Sequence, residues 1–212
     1  MKRAYNIIIS IILVLVFHLA HAQKFGAGIF AGLAHTDVIG VDPYDEDFLK
    51  VGVLGGAFVN LPVSEKSVLQ MEIMYIQKGT LQPADSTNYS TYYKMKLDYI
   101  EVPLLIKRRI HFTIREKPID KFEIEGGFSF GALLHVTQLD QYGVFPDAKP
   151  FGKVDASIQL GAAYYFTKHI ALDLRFSNSV IPFRKNVTRG AIYWFNNDEY
   201  NTVLSYSLRY IF

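Results

Sequence analysis

The chain has no cysteine, a single tryptophan, no long apolar run after Leu19 and almost no surplus of charge. Without cysteine there is no disulfide, no thiolate metal site, no cysteine nucleophile and no lipid anchor of the cysteine-linked kind. After Leu19 nothing approaches the roughly 20 consecutive apolar residues that a membrane helix needs. The sequence holds 22 Lys and Arg against 20 Asp and Glu, and two of the basic residues, Lys2 and Arg3, stand at its start. From residue 23 onward the two signs balance, which excludes the clustered positive surplus of a nucleic-acid binder. No internal repeat, Ser/Gly linker or low-complexity stretch divides the chain. About 190 residues then make one domain of ordinary size.

What is present begins with a leader. Lys2 and Arg3 precede an apolar run from Ile7 to Leu19, broken only by Ser10 and His18, and Ala20-His21-Ala22 follows as an A-x-A cleavage site. Residues 1–22 are expected to be a signal peptide and residues 23–212 the exported domain. At the other end, Leu204, Tyr206, Leu208, Tyr210 and Phe212 share one strand face, while Ser205, Ser207 and Arg209 share the other. A soluble protein gains little from ending on an exposed aromatic strand, because such an edge invites aggregation. A transmembrane β-barrel requires the pattern, with an apolar face to lipid and a polar face to the lumen. Leu208, Tyr210 and Phe212 resemble the C-terminal signal read by the barrel-assembly machinery of the outer membrane.

Period-two alternation predicts eight strands: Lys24–Ala34, Lys50–Leu61, Val68–Lys78, Met95–Ile110 (extending to Arg115), Lys121–Leu134, Lys153–Phe166, His169–Ser177 and Val203–Phe212. Most exceed the usual soluble strand and suit a tilted membrane strand of about 9–11 residues. Long connections, about His35–Leu49, Gly79–Lys94, His135–Gly152 and Asn178–Glu199, alternate with short ones at Pro62–Ser67, Glu116–Asp120 and Thr167-Lys168. Outer-membrane barrels alternate long external loops with short periplasmic turns. The fold expected is therefore all-β: a single eight-stranded antiparallel barrel in the outer membrane of a Gram-negative bacterium, with both termini periplasmic and membrane lipid as its surroundings.

Tyr99-Ile100-Glu101-Val102-Pro103-Leu104-Leu105-Ile106-Lys107 is similar to the Tyr-Leu-Glu-Ile-Pro-Leu-Leu-Leu-Lys signature of the PorT-like small outer-membrane β-barrel proteins of the Bacteroidota. Glu72-Ile73-Met74-Tyr75, Lys78-Gly79, Gly126-Gly127-Phe128 and Gly161-Ala162-Ala163-Tyr164-Tyr165-Phe166 extend the resemblance over nearly the whole mature chain. The resemblance implies an eight-stranded outer-membrane barrel. Its best-known member assists a protein-secretion system, so a secretion-system or periplasmic protein is the partner it suggests. Fold analogy alone does not carry that role over.

Strand parity places Glu72, Lys78, Glu101, Lys107, Glu123, Glu125, Asp155, Asp173, Arg175 and Arg209 on the inward face. Eight strands enclose just enough room for side chains, and mixed signs point to an ionic plug built from cross-barrel pairs, with a proton or ion path as the functional alternative. Pro103, on the same face as Glu101, donates no ladder hydrogen bond and predicts a bulge or bend. Asp42, Asp45, Glu46 and Asp47 form a solvated acidic loop, or a Ca²⁺ site that lacks EF-hand spacing. Tyr193, Trp194 and Phe195 suit a loop contact or an interfacial girdle. An enzymatic reading would need a Ser–His pair of the lipid A-modifying kind, such as His35 with Ser177 or Ser179. No motif supports it, and no catalytic, cofactor or metal residue is assigned. The function expected is that of a small non-enzymatic, partner-binding or accessory envelope protein, with a narrow pore as the first rival.

Overall fold

A computed structural model describes residues 25–39, 50–84, 92–114, 117–144, 151–185 and 198–212, with backbone alone at 111–114 and 117–119. Its strands are β1 (Gly26–Ile39), β2 (Lys50–Pro62), β3 (Ser67–Gln82), β4 (Tyr93–Ile114), β5 (Lys117–Asp140), β6 (Gly143–Val144), β7 (Val154–Tyr165), β8 (Ile170–Ser179) and β9 (Tyr200–Ile211). Eight of them close a ring in the order β1, β2, β3, β4, β5, β7, β8, β9, every neighbour antiparallel. The two-residue β6 only folds back on the end of β5. The ring closes between first and last strands, from Gly28 opposite Ile211 to Ile39 opposite Tyr200. The Phe212 amide donates to the Ala27 carbonyl at 2.9 Å. Closure leaves no edge, the one way a sheet satisfies its backbone within lipid.

Alternation sorts the side chains. Ile29, Ile106, Phe130, Leu160 and Leu208 are all more than half exposed on the outer face, as a lipid-facing belt requires. The residues between them face inward and are buried. The strands run further than the apolar alternation predicts at the end carrying the long connections. β1 continues to Ile39, β3 to Gln82 and β5 to Asp140, so His35 and His135 lie in strands and not in loops. Above the belt no lipid demands an apolar outer face, so pairing goes on without the pattern.

Two other expectations are corrected. β4 and β5 are paired as far as Ile114 and Lys117, so Lys117–Asp120, expected in the connection Glu116–Asp120, lies in β5, and Pro118 is already paired with Thr113. Nor does Pro103 sit in a bulge. It pairs in register with Ser129, and the β4–β5 shifts lie elsewhere, at Asp98/Tyr99 and Ile110/Phe112. Its effect is on the other side. The β3–β4 pairs stop at Met71–Leu104 and resume at Met74–Glu101, a gap where Pro103 has no N–H to donate.

Candidate functional site: the filled lumen

The inward face of the barrel is built in layers. At the end carrying the termini and short turns, the Arg109 guanidinium lies over the Tyr165 ring at 4.3 Å, and the Tyr165 hydroxyl donates to Glu123 at 3.1 Å. Next come three cations among four carboxylates. Arg209 donates through Nε to Asp173 at 2.7 Å and reaches Glu123 at 3.4 Å. Lys107 lies 2.6 Å from Glu125. Arg175 donates through Nε to Glu125 at 2.6 Å and with both terminal nitrogens to Glu72 at 2.8 Å each. Gln70 donates to the same Glu72. The Arg175–Glu72 fork joins β8 to β3, strands on opposite sides of the ring, and its bidentate geometry is the strongest form of such a pair.

Glycine makes room for this layer. A Cβ on Gly161 would stand 2.8 Å from the Glu125 carboxylate and 2.7 Å from the Leu174 carbonyl. Beside the ionic layer, with Phe30 paired to Arg209 and Phe58 to Glu72 across the ladders, the Phe30 and Phe58 rings pack 6.4 Å apart, with Arg209 over Phe58 at 5.5 Å.

A second, smaller ionic group lies nearer the long connections. Lys78 sits 2.5 Å from Glu101 and 2.7 Å from Asp155, over the Tyr99 ring at 5.2 Å. Ser129 donates to Glu101, and Ser157 to Asp155. A Cβ on Gly131 would meet the Glu101 Cγ at 3.1 Å.

An apolar cap closes that end: Ala34, Val38, Met95, Leu97, Val203 and Phe183 are all buried in one cluster. Phe183 lies past the end of β8 and inserts at 1% exposure. Its ring stacks on Phe151 at 5.9 Å, nearly parallel. Arg184 lies over the far partner, Phe151, at 4.9 Å and donates to Glu199 at 2.7 Å. Burial works against the Arg184 charge, but the hydrogen bond and charge of Glu199 outweigh it and raise its pKa above the ordinary guanidinium value.

All ten charged residues that parity placed inward are buried, none more than 9% exposed. Four cations thus face six carboxylates, all shielded from the outside solvent. Sequence reasoning missed the aromatic part. Phe30, Phe58 and Tyr99 stand at polar-face parity, and that misfit was the available signal. Phe183, outside any strand, left none. Leu208, Tyr210 and Phe212 all point outward, from 49% to 69% exposed. Tyr193, Trp194, Phe195, the acidic segment Asp42–Asp47 and residues 1–22 lie outside the described residues. His35 and Ser177 are not brought together: His35 faces outward, bonded to the Tyr206 hydroxyl at 3.2 Å, and Ser177 is buried on the inward face. Among the described residues no group of three or more His, Asp or Glu side chains is disposed to hold a metal ion.

Known proteins place this geometry. The family model described as outer membrane protein beta-barrel domain matches residues 21–184. Neisserial surface protein A is similar in structure, at a TM-score of 0.51 and 13% identity, over 88% of this chain and 97% of that one. The attachment invasion locus protein Ail of Yersinia pestis, in complex with the heparin analogue sucrose octasulfate, gives a TM-score of 0.49 at 10% identity, over 89% of this chain and 99% of its own. No curated protein matches the sequence.

Proposed function

Because the chain belongs to the outer membrane protein β-barrel domain family, we propose that it is a non-enzymatic, non-conducting protein of a Gram-negative outer membrane that acts through its two rims on a partner. The observation that carries this reading is the burial of Lys78, Glu101, Lys107 and Arg209 at 1% exposure each. Charges lining a water-filled pore are wetted; these are sealed among their own counter-ions and beneath Phe183. In this reading the ten buried charges are a structural plug, costly to leave unpaired. Leu208, Tyr210 and Phe212, outward on the last strand, are the signal by which the assembly machinery receives the chain. The termini and short turns face the periplasm, and the long connections face outward, as in other bacterial barrels. A secretion-system or periplasmic protein is the partner implied by the PorT-like resemblance of residues 99–107, and it meets the short-turn rim.

Planar-bilayer recording tests the sealed lumen: the purified barrel is expected to pass no steady current, and a reproducible ohmic conductance would sink the proposal. Crosslinking in intact cells tests the partner. Reproducible capture of secretion or assembly components supports the accessory role; capture of abundant barrels and lipoproteins alone removes it.

A further inference from the structure

Among the described residues, the short-turn end carries five exposed basic side chains, Lys66, Arg108, Arg109, Lys121 and Lys168, against two exposed acidic ones, Glu65 and Asp120.

Where the basic residues stand decides what they meet. Arg108 is on the outward face of β4, between Ile106, which is 65% exposed, and Ile110. Its neighbour across the ladder is Ile124, itself in the lipid-facing belt. The Lys121 ammonium lies 5.8 Å from the centre of the Tyr164 ring. Tyr164 in turn packs edge-on between Phe122, at 5.1 Å, and Phe166, at 5.3 Å, an outward aromatic run of the sort that marks a membrane interface. Lys66 and Lys168 occupy the adjoining turns. A guanidinium on the apolar belt extends its stem along that surface and its head toward the nearest polar layer. That layer is formed by lipid headgroups, so the anions at hand are their phosphates. A protein partner docking end-on would leave Arg108 on the wrong side of the rim.

We infer that Lys66, Arg108, Lys121 and Lys168 form a belt that binds the headgroups of anionic phospholipid in the leaflet at the short-turn end. The chemistry is phosphate recognition by charge at an interface, worth about a fivefold preference for each basic side chain at an anionic surface. The inference rests on the orientation proposed above for its biological side: in that orientation the belt lies in the inner, phospholipid leaflet.

The full barrel is reconstituted in vesicles of phosphatidylcholine with one-fifth phosphatidylglycerol, extracted gently, and its retained lipid is measured by native mass spectrometry. The ratio of phosphatidylglycerol to phosphatidylcholine among the retained lipids should exceed the bulk ratio at least about fivefold. The variant K66Q/R108Q/K121Q/K168Q should lose the enrichment while still showing the gel shift of a folded barrel. If that variant fails to insert, the wild-type enrichment is followed with rising salt, where screening of exposed charge should erase it. No enrichment, or enrichment indifferent to both the substitutions and salt, overturns the inference. So does an absence of lipid preference together with rim-dependent binding of a polyglutamate probe, which would mark the rim as a site for an acidic protein. The orientation is checked separately. With no native cysteine, Ser64→Cys gives one thiol in a short turn, and labelling of that thiol on intact cells by an impermeant reagent would refute the orientation without touching the lipid result.

Discussion

The Arg175 fork offers the sharpest test of the filled lumen. Arg175→Met keeps an unbranched stem, two atoms shorter, and removes the charge. Glu72 then loses both bonds of 2.8 Å and keeps only Gln70. Glu125 keeps Lys107 at 2.6 Å. One buried carboxylate is therefore left without a counter-ion, and breaking a buried pair from one side costs about 3–5 kcal/mol. Adding Glu72→Gln removes the stranded charge while leaving a group that still bonds Gln70. The double variant should recover at least about half of the loss, since replacing both members of such a pair is often close to neutral. The assay is reversible urea unfolding in lipid vesicles, followed by tryptophan fluorescence and by the heat-dependent gel shift. If Arg175→Met stays within about 1 kcal/mol of wild type, the network is not buried in the way described. If the double variant is as unstable as the single one, the loss comes from packing and not from charge.

Three further outcomes follow from the same geometry. Phe183→Ala removes a fully buried ring and should cost about 3 kcal/mol. Combined with Val203→Cys, it should also speed thiol labelling from water about tenfold or more, as local opening becomes easier; equal labelling rates with and without the substitution would disprove the cap. Gly161→Val drives a branched side chain against Glu125 and the Leu174 carbonyl and should destabilise the barrel by about 1–3 kcal/mol, whereas Gly26→Ala, whose added Cβ would come no nearer than 3.5 Å to Asn60, serves as a mild comparison. Phe212→Ser keeps the amide bonded to Ala27, so refolding into vesicles should change by less than about 1 kcal/mol, yet the chain should accumulate unassembled in cells. Normal assembly in cells would remove the insertion signal from the last strand.

What the sequence made legible follows from one physical rule, alternation. Within the lipid belt, each strand must turn apolar side chains out, so Ile29, Ile106 and Leu208 declare their face and their neighbours follow by parity. That rule places Glu72, Lys107 and Arg175 inside without any knowledge of the ring. It says nothing about who pairs with whom. The Arg175–Glu72 link depends on closure, which brings β8 and β3 face to face across the lumen, and no local pattern encodes that distance. The rule also expires at the loop end, where β1 and β5 run past the belt and only the ladder continues. Phe30 and Phe58 break it outright. They are apolar and inward, and Gly28, where an added Cβ would stand 2.3 Å from the Phe58 ring, makes room on the neighbouring strand, a relation between strands invisible along either one. Phe183 belongs to no strand, so alternation had no reach there.

The layering favours the proposed plug over a path. An ion moving along the axis would have to part Lys78 from Glu101 and Asp155, and then Arg175 from Glu72 and Glu125. Each event opens a buried pair, at about 3–5 kcal/mol, which slows passage by about two to nearly four orders of magnitude per layer. The Phe30–Phe58 contact, with Phe30 paired to Arg209 and Phe58 to Glu72, adds apolar bulk beside the larger layer. A surplus carboxylate in each layer does not change this, because each cation is held by its own buried partners. The same layers that block a path join opposite walls of the barrel. On the proposed reading, contact with other molecules is left to the loop end beyond Phe183 and to the basic rim around Arg108.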